Sequence, residues 1–290
     1  MTITTSHILR IAAFSDGDIG GNPAGVWIGE SLPPADEMQR LAREVGYSET
    51  AFAAQDGQGQ GEGWRVRYFS PASEVPFCGH ATIALGAVLA RRVGDGVFLL
   101  RLNGADITVE GRTEGGRVAA ALQSPPTWSR PADPALVADA LLLFGYHAGD
   151  LDPRIPPALA HAGANHLVLA LASRDLLAAM RYDLEAGRAL MARHGLTTIV
   201  LAWAEDAQRF HTRNPFAIGG VYEDPATGAG TAALAGYLRD LGWPHGGTIA
   251  VVQGEDMGMR SRLRADIGPV PGSSIRVSGA TRQLLQEHET

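Results

Sequence analysis

The side chains best equipped for chemistry are Glu49 in YSETAF, Cys78 and His80 in EVPFCGH, and Asp224 in EDPATGAG. A carboxylate such as Glu49 takes and returns a proton, the more readily at neutral pH when apolar surroundings oppose its ionisation. From the residues alone, the plainer reading is a surface or capping acid. A thiol at a helix start, as at Cys78, is a base or a nucleophile, or else a small buried hydrophobe. His80 can serve as acid, base or donor to a carboxylate, or as a cap. Asp224 can accept helix N–H groups as a cap or assist at a site.

Both motifs run through glycines into alanine-rich stretches, Gly79 in the first and Gly228, Ala229 and Gly230 in the second. A glycine turn opening a helix aims unpaired N–H groups and the positive helix end at one point, which suits a carboxylate. The plainer alternative is a pair of core helices with small residues for close packing.

Composition narrows the chemistry. The 290 residues carry 24 basic side chains, all arginine, against 31 acidic ones, a net charge of −7. Without lysine, imine chemistry and the lysine-dependent phosphate loop are excluded. One cysteine allows no intrachain disulfide, multi-cysteine zinc site or C-x-x-C pair. The acidic balance argues against nucleic acid and anionic membrane as partners. No apolar run is long enough for a transmembrane helix. The first residues read as a strand rather than a signal peptide, so a cytoplasmic protein is expected.

The elements that must position these residues are mixed. Helical periodicity covers 35–45, 81–93, 134–144, 183–194 and 231–241, with Met38, Leu41, Ala42 and Val45 along one face of the first. Gly46 and Gly195 stand where left-handed caps belong. Strand-like runs cover 8–14, 64–69, 97–102, 106–110, 118–122, 166–172, 198–203, 209–213, 248–252, 261–267 and 274–278. The run 123–134, with four prolines, reads as a linker, and the glycine-rich run 56–63 as a hairpin tip.

The strongest internal signal is a repeat. Glu74, Pro76, Gly79, Thr82, Ala84, Leu85 and Leu89 recur as Glu223, Pro225, Gly228, Thr231, Ala233, Leu234 and Leu238, all at one offset of 149 positions. Leu41 and Leu190, and Gly46 and Gly195, obey the same offset. A period of half the chain implies a duplicated α+β domain rather than a short-period solenoid. The offset pairs Glu49 with Thr198 and Cys78 with Thr227, so one half carries the acid and the thiol and the other does not.

GNPAGV at 21–26, YSETAF at 47–52, R-x-F-S-P at 67–71, EVPFCGHAT at 74–82 and EDPATGAG at 223–230 together resemble the phenazine-biosynthesis PhzF-like family, in the family's order and over nearly the whole chain. That family is similar in fold to diaminopimelate epimerase. The resemblance implies an α+β protein of two pseudo-symmetric domains, each a curved, mostly antiparallel sheet around a central helix, with the active site in the cleft between them. The expected domains are 1–126 with about 275–290, and 127–274. It further implies a homodimer, no cofactor, no metal and a small carboxylate-bearing substrate.

By the same resemblance Glu49 is the catalytic acid/base, and His80 and Asp224 its supporting polar residues. Gly79 and Gly228 hold the substrate carboxylate, flanked by Cys78, Ala229 and Gly230. Two departures stand out: Ala229 replaces a common serine, and Gly258–Ser261 reads GMRS where the family has G-R-P-S, displacing Arg260. Thr227 opposite Cys78 argues against a two-thiol racemase, because a threonine hydroxyl is far too weak a base. The expected activity is therefore an isomerase moving a proton by cofactor-independent acid/base chemistry, as a double-bond shift or tautomerisation. The alternatives are a non-catalytic carboxylate-binding protein on the same fold and a Cys78-dependent enzyme.

Overall fold

A computed structural model describes residues 4–56 and 63–285. The expected hairpin tip at 56–63 lies outside the described residues apart from its two ends. The chain forms two compact units, Met1–Gln123 with Ser278–Thr290, and Ser124–Val277. Among the described residues no helix is long and apolar enough to cross a membrane.

The first unit holds β1 (Leu9–Ala13), β2 (Asn22–Gly29), α1 (Ala35–Val45), β3 (Thr50–Gln55), β4 (Gly63–Phe69), β5 (Glu74–Val75), α2 (Gly79–Val93), β6 (Gly96–Arg101), β7 (Asp106–Glu114) and β8 (Arg117–Gln123). β1 pairs antiparallel with β2, and β3 with β4. The β2–β3 and β4–β6 pairs are parallel, because α1 and α2 carry the chain across between their strands. β6, β7 and β8 follow as an antiparallel meander. The last strand among the described residues, Arg276–Gln283, pairs with β8 and with β1, so the strands close into a ring. It begins two residues later and runs five further than the periodicity suggested, because ladder bonds to β1 extend to Gln283.

The two helices of this unit differ because their surroundings differ. α1 buries Met38, Leu41, Ala42 and Val45 on one face and ends at Gly46, whose φ of 72° an L side chain rarely adopts. α2 is buried from His80 through Ala90 and touches strands from around the ring. A helix enclosed on every side cannot be amphipathic, and the strands approach closely only where side chains are small. A Cβ on Gly86 would come within 2.5 Å of Val109.

The second unit repeats this plan. β9 (Trp128–Pro131), α3 (Pro134–Phe144), β10 (Ala158–His161), β11 (Asn165–Ala170), α4 (Arg174–Ala178), α5 (Leu184–His194), β12 (Thr198–Ala204), β13 (Arg209–Phe216), β14 (Val221–Asp224), α6 (Gly228–Leu241), β15 (Thr248–Gln253) and β16 (Ser261–Asp266) follow in order. The β11–β12 and β13–β15 pairs are parallel, as β2–β3 and β4–β6 are in the first unit. The β9–β10, β10–β11, β12–β13 and β15–β16 pairs are antiparallel. α5 and α6 begin 149 residues after α1 and α2, at the offset of the sequence repeat.

Three expectations need correction. The proline-rich run 123–134 is not a free linker: Trp128–Pro131 is β9, paired antiparallel with β10. β2 and β10 gave no strand signal in the sequence. Both owe their extended form to paired neighbours. The α2 and α6 helices also start earlier than the periodic pattern, at the glycines of the two motifs.

Candidate active site

Three of the singled-out residues meet in the first unit. Glu49 immediately precedes β3, and its carbonyl accepts the Gly25 N–H at 3.2 Å, which ties it to β2. Cys78 is the N-cap of α2 and His80 the second helical residue. Their functional atoms converge: the Cys78 thiol donates to Glu49 Oε2 at 3.4 Å, and His80 Nε2 lies 3.4 Å from the same oxygen. Cys78 Sγ is also 3.4 Å from His80 Nδ1. The extended backbone of Cys78 (φ −145°, ψ 118°) leading into the helix brings Cys78 and His80 into contact though they stand only two residues apart. Ser48 Oγ lies 3.2 Å from His80 Nε2, a partner the sequence did not suggest. The carboxylate is thus faced by a thiol and an imidazole.

A second layer holds this turn rigid. The Thr82 hydroxyl donates to the Cys78 carbonyl at 2.7 Å and pairs with Tyr68 Oη at 2.6 Å. Complete burial pushes the Tyr68 phenol above its ordinary pKa, so it remains neutral. No side chain caps α2 at its start. By contrast, Asp133 and Asp183 accept backbone N–H groups at the starts of α3 and α5. An uncapped first turn keeps its N–H donors available for an anion.

The remaining residues lie in the second unit. Asp224 ends β14, and its carboxylate accepts the Thr227 hydroxyl at 2.5 Å. Thr227, the N-cap of α6, makes no side-chain cap bond to that helix. Gln253 braces the turn: its Nε2 donates to the Asp224 carbonyl at 2.7 Å and to Thr227 Oγ1 at 3.0 Å, while its Oε1 accepts the Thr227 N–H at 3.1 Å. Nothing local in the sequence marked Gln253, because its role arises from the parallel pairing of β15 with β13. Gly228, Ala229 and Gly230 form the first turn of α6, with Ala229 partly exposed and the two glycines buried. A Cβ on Gly230 would meet Asn214 Nδ2 at 2.7 Å. Asn214 lies opposite Asp224 in the β13–β14 pair and is buried, with both side-chain polar atoms unpartnered among the described residues. Arg260 points its Nε toward Glu255 Oε1 at 3.8 Å, so the displaced arginine of GMRS sits in a carboxylate network on its own unit.

The counterparts of the reactive residues are spent on structure. Thr198, at the repeat position of Glu49, is buried and bonded to His166 Nδ1 at 2.8 Å. Thr227, at the position of Cys78, is bonded to Asp224. The acid and the thiol therefore occur in one half alone.

The family model described as phenazine biosynthesis-like protein matches residues 11–284. The chain is 34% identical over 281 residues to a trans-2,3-dihydro-3-hydroxyanthranilate isomerase of Pseudomonas aeruginosa, covering 93% of this chain and 94% of that one. It is 33% identical over 259 residues to the enzyme of the same name from Pseudomonas fluorescens, covering 88% of each. In structure it is similar to a Bacillus anthracis phenazine biosynthesis protein of the PhzF family, with a TM-score of 0.83, 20% identity and 96% of each chain covered. A probable proline racemase from Agrobacterium radiobacter is similar at a TM-score of 0.62 and 12% identity, over 98% of this chain and 93% of that one. At these identities the structures bear on the fold alone, and they bear out the diaminopimelate epimerase-like architecture.

Proposed function

Given that the chain belongs to the phenazine biosynthesis-like PhzF family of isomerases, we propose that it shifts a proton within a small unsaturated carboxylate, with Glu49 as the single proton carrier. The observation that carries this reading is the setting of Glu49: a carboxylate contacted by Cys78 and His80 at 3.4 Å, beside the uncapped start of α2. Glu49 removes a proton from a carbon acidified by the neighbouring unsaturation and returns it to another carbon on the same face. The Gly79 and His80 N–H groups at the helix start stabilise the anionic charge that develops. His80 orients Glu49, and Ser48 orients His80. Asp224, with Gly228, Ala229 and Gly230, is assigned to substrate binding, and Thr227 with Gln253 to holding Asp224 in place. No cofactor enters this scheme.

The asymmetry of the repeat supports a one-carboxylate mechanism, in which Asp224, engaged by the Thr227 hydroxyl, binds rather than transfers a proton. Two-base epimerisation needs an acid or thiol on both sides of the carbon, and Thr198 and Thr227 offer neither. The trans-2,3-dihydro-3-hydroxyanthranilate named for the Pseudomonas relatives is the first substrate to test, within a panel of small unsaturated carboxylates. Turnover in D₂O should place deuterium in the product, and Glu49→Gln should abolish it. Full exchange in Glu49→Gln refutes the assignment. Ligand-induced thermal stabilisation without exchange in the native protein supports a binding protein instead.

One observation favours a second reading. The 3.4 Å contact of Cys78 Sγ with His80 Nδ1 is the geometry of an activated thiol. Turnover that is lost in Cys78→Ala while Glu49→Gln retains it selects that reading.

A further inference from the structure

The same three side chains present donors of a second kind. Among the described residues they form the one group of three or more histidine, cysteine or acidic side chains whose ligand atoms lie within 4.8 Å of one another. We propose that Glu49, Cys78 and His80 form a three-ligand site for a thiophilic divalent cation of the zinc class, and that its binding withdraws Glu49 from proton transfer. The second half rests on the function proposed above; the first half does not.

The geometry carries the argument. Zinc binds sulfur at about 2.3 Å and nitrogen or oxygen at about 2.0–2.2 Å, so a tetrahedral ion requires sulfur–nitrogen and sulfur–oxygen edges of about 3.6 Å and a nitrogen–oxygen edge of about 3.4 Å. Here Sγ–Oε2 is 3.4 Å, Nε2–Oε2 is 3.4 Å and Sγ–Nε2 is 3.9 Å. Each edge lies within about 0.4 Å of the requirement, and because Cys78 Sγ stands nearer His80 Nδ1 (3.4 Å) than Nε2, loading the ion requires the imidazole to turn and aim Nε2 at it. The donor set also fits in charge. A thiolate and a carboxylate together neutralise a divalent ion, and a neutral cluster is what a mostly buried site tolerates. Sulfur and imidazole select zinc-class ions over magnesium or calcium. The Tyr68–Thr82–Cys78 chain fixes one ligand and the β2–Glu49 backbone bond another, so little has to be ordered when the ion arrives. Three protein ligands leave a fourth position for water or a substrate carboxylate, as at catalytic zinc centres.

Cobalt(II) is the probe. Titrating the metal-free protein should load one ion per chain, with a thiolate-to-cobalt charge-transfer band in the near ultraviolet and intense visible bands of a tetrahedral ion. Zinc should erase both. Cys78→Ser, with its fold confirmed by circular dichroism and thermal melting, should lose the charge-transfer band. Glu49→Gln and His80→Gln should each weaken binding by more than the roughly 10–100-fold that loss of an outer-shell partner costs. Cobalt binding without the band, or a band that survives in Cys78→Ser, overturns the site. These readouts use no substrate and stand whether or not the isomerase reading holds. With a substrate that the native protein turns over, one equivalent of zinc should stop isotope exchange and a chelator should restore it. Unchanged exchange in the loaded protein overturns the inhibitory half.

Discussion

Protonation of His166 should be a main route by which acid destabilises the second unit. This side chain in β11 is fully buried and its Nδ1 lies 2.8 Å from Thr198 Oγ1, while Nε2 has no partner among the described residues. The imidazolium form carries an Nε2–H with nothing among the described residues to receive it, in addition to a buried charge. Burial, with a smaller contribution from the charge of His161, pushes its pKa down to about 3. In the unfolded chain an imidazole titrates at about 6.5. Between those values the unfolded state binds the proton and the folded state does not. Stability is therefore complete above about pH 6.5 and falls as the pH drops toward the folded value. At about pH 4.5, two units below the unfolded pKa, the loss from this one group is about 2–3 kcal/mol at 1.36 kcal/mol per unit. His166→Gln keeps a donor for Thr198 and does not titrate. Urea unfolding of both proteins at about pH 7.5 and about pH 4.5 gives a double difference in which all other titrations cancel. The native protein should lose about 2–3 kcal/mol more than the variant. A double difference under about 0.5 kcal/mol would show that His166 is protonated in the fold or reaches water, and the reasoning would fail.

Other consequences are equally open to measurement. Tyr68→Phe removes the buried bond to Thr82 and should cost about 1 kcal/mol in urea unfolding, with a broadened Cys78 environment in thiol-labelling rates. Gly230→Ala puts a methyl 2.7 Å from Asn214 Nδ2 and should cost about 1–3 kcal/mol; adding Asn214→Ala should recover most of it, and an additive double variant contradicts the clash. Glu74 makes a two-point bond with Arg67, at 2.7 and 2.6 Å, which holds its carboxyl below the usual pKa. The stability it contributes is present above the ordinary carboxylate range and is lost as pH falls through the lowered folded value, so Glu74→Gln should flatten the acid limb of a thermal-melt profile.

Much of the framework was legible because its signals are local or periodic. α1 and α3 fall on their expected bounds, and Gly46 and Gly195 take the left-handed caps, with φ of 72° and 62°. The 149-residue offset reappears in the starts of the paired helices. β2, β9 and β10 stayed hidden because each is extended through bonds to strands elsewhere in the chain, and Gln253 because a brace across parallel strands has no local pattern. Among the site residues, Glu49, Cys78, His80 and Asp224 were visible as types in motifs. Ser48, Tyr68 and Asn214 acquire meaning from what they touch.

The sequence by itself determined the duplication, the absence of lysine chemistry and the asymmetry that leaves an acid and a thiol in one half and Thr198 and Thr227 in the other. Those are properties of residue identity and position, and no folding can alter them. Only the tertiary structure decided that Glu49 meets residues 29 and 31 positions away, that Cys78 and His80 touch, and that three donors stand at the spacing of a metal ion. Such distances depend on β3 being hydrogen-bonded in a ring through whose centre α2 runs, and pairing between distant strands leaves no local trace in the sequence.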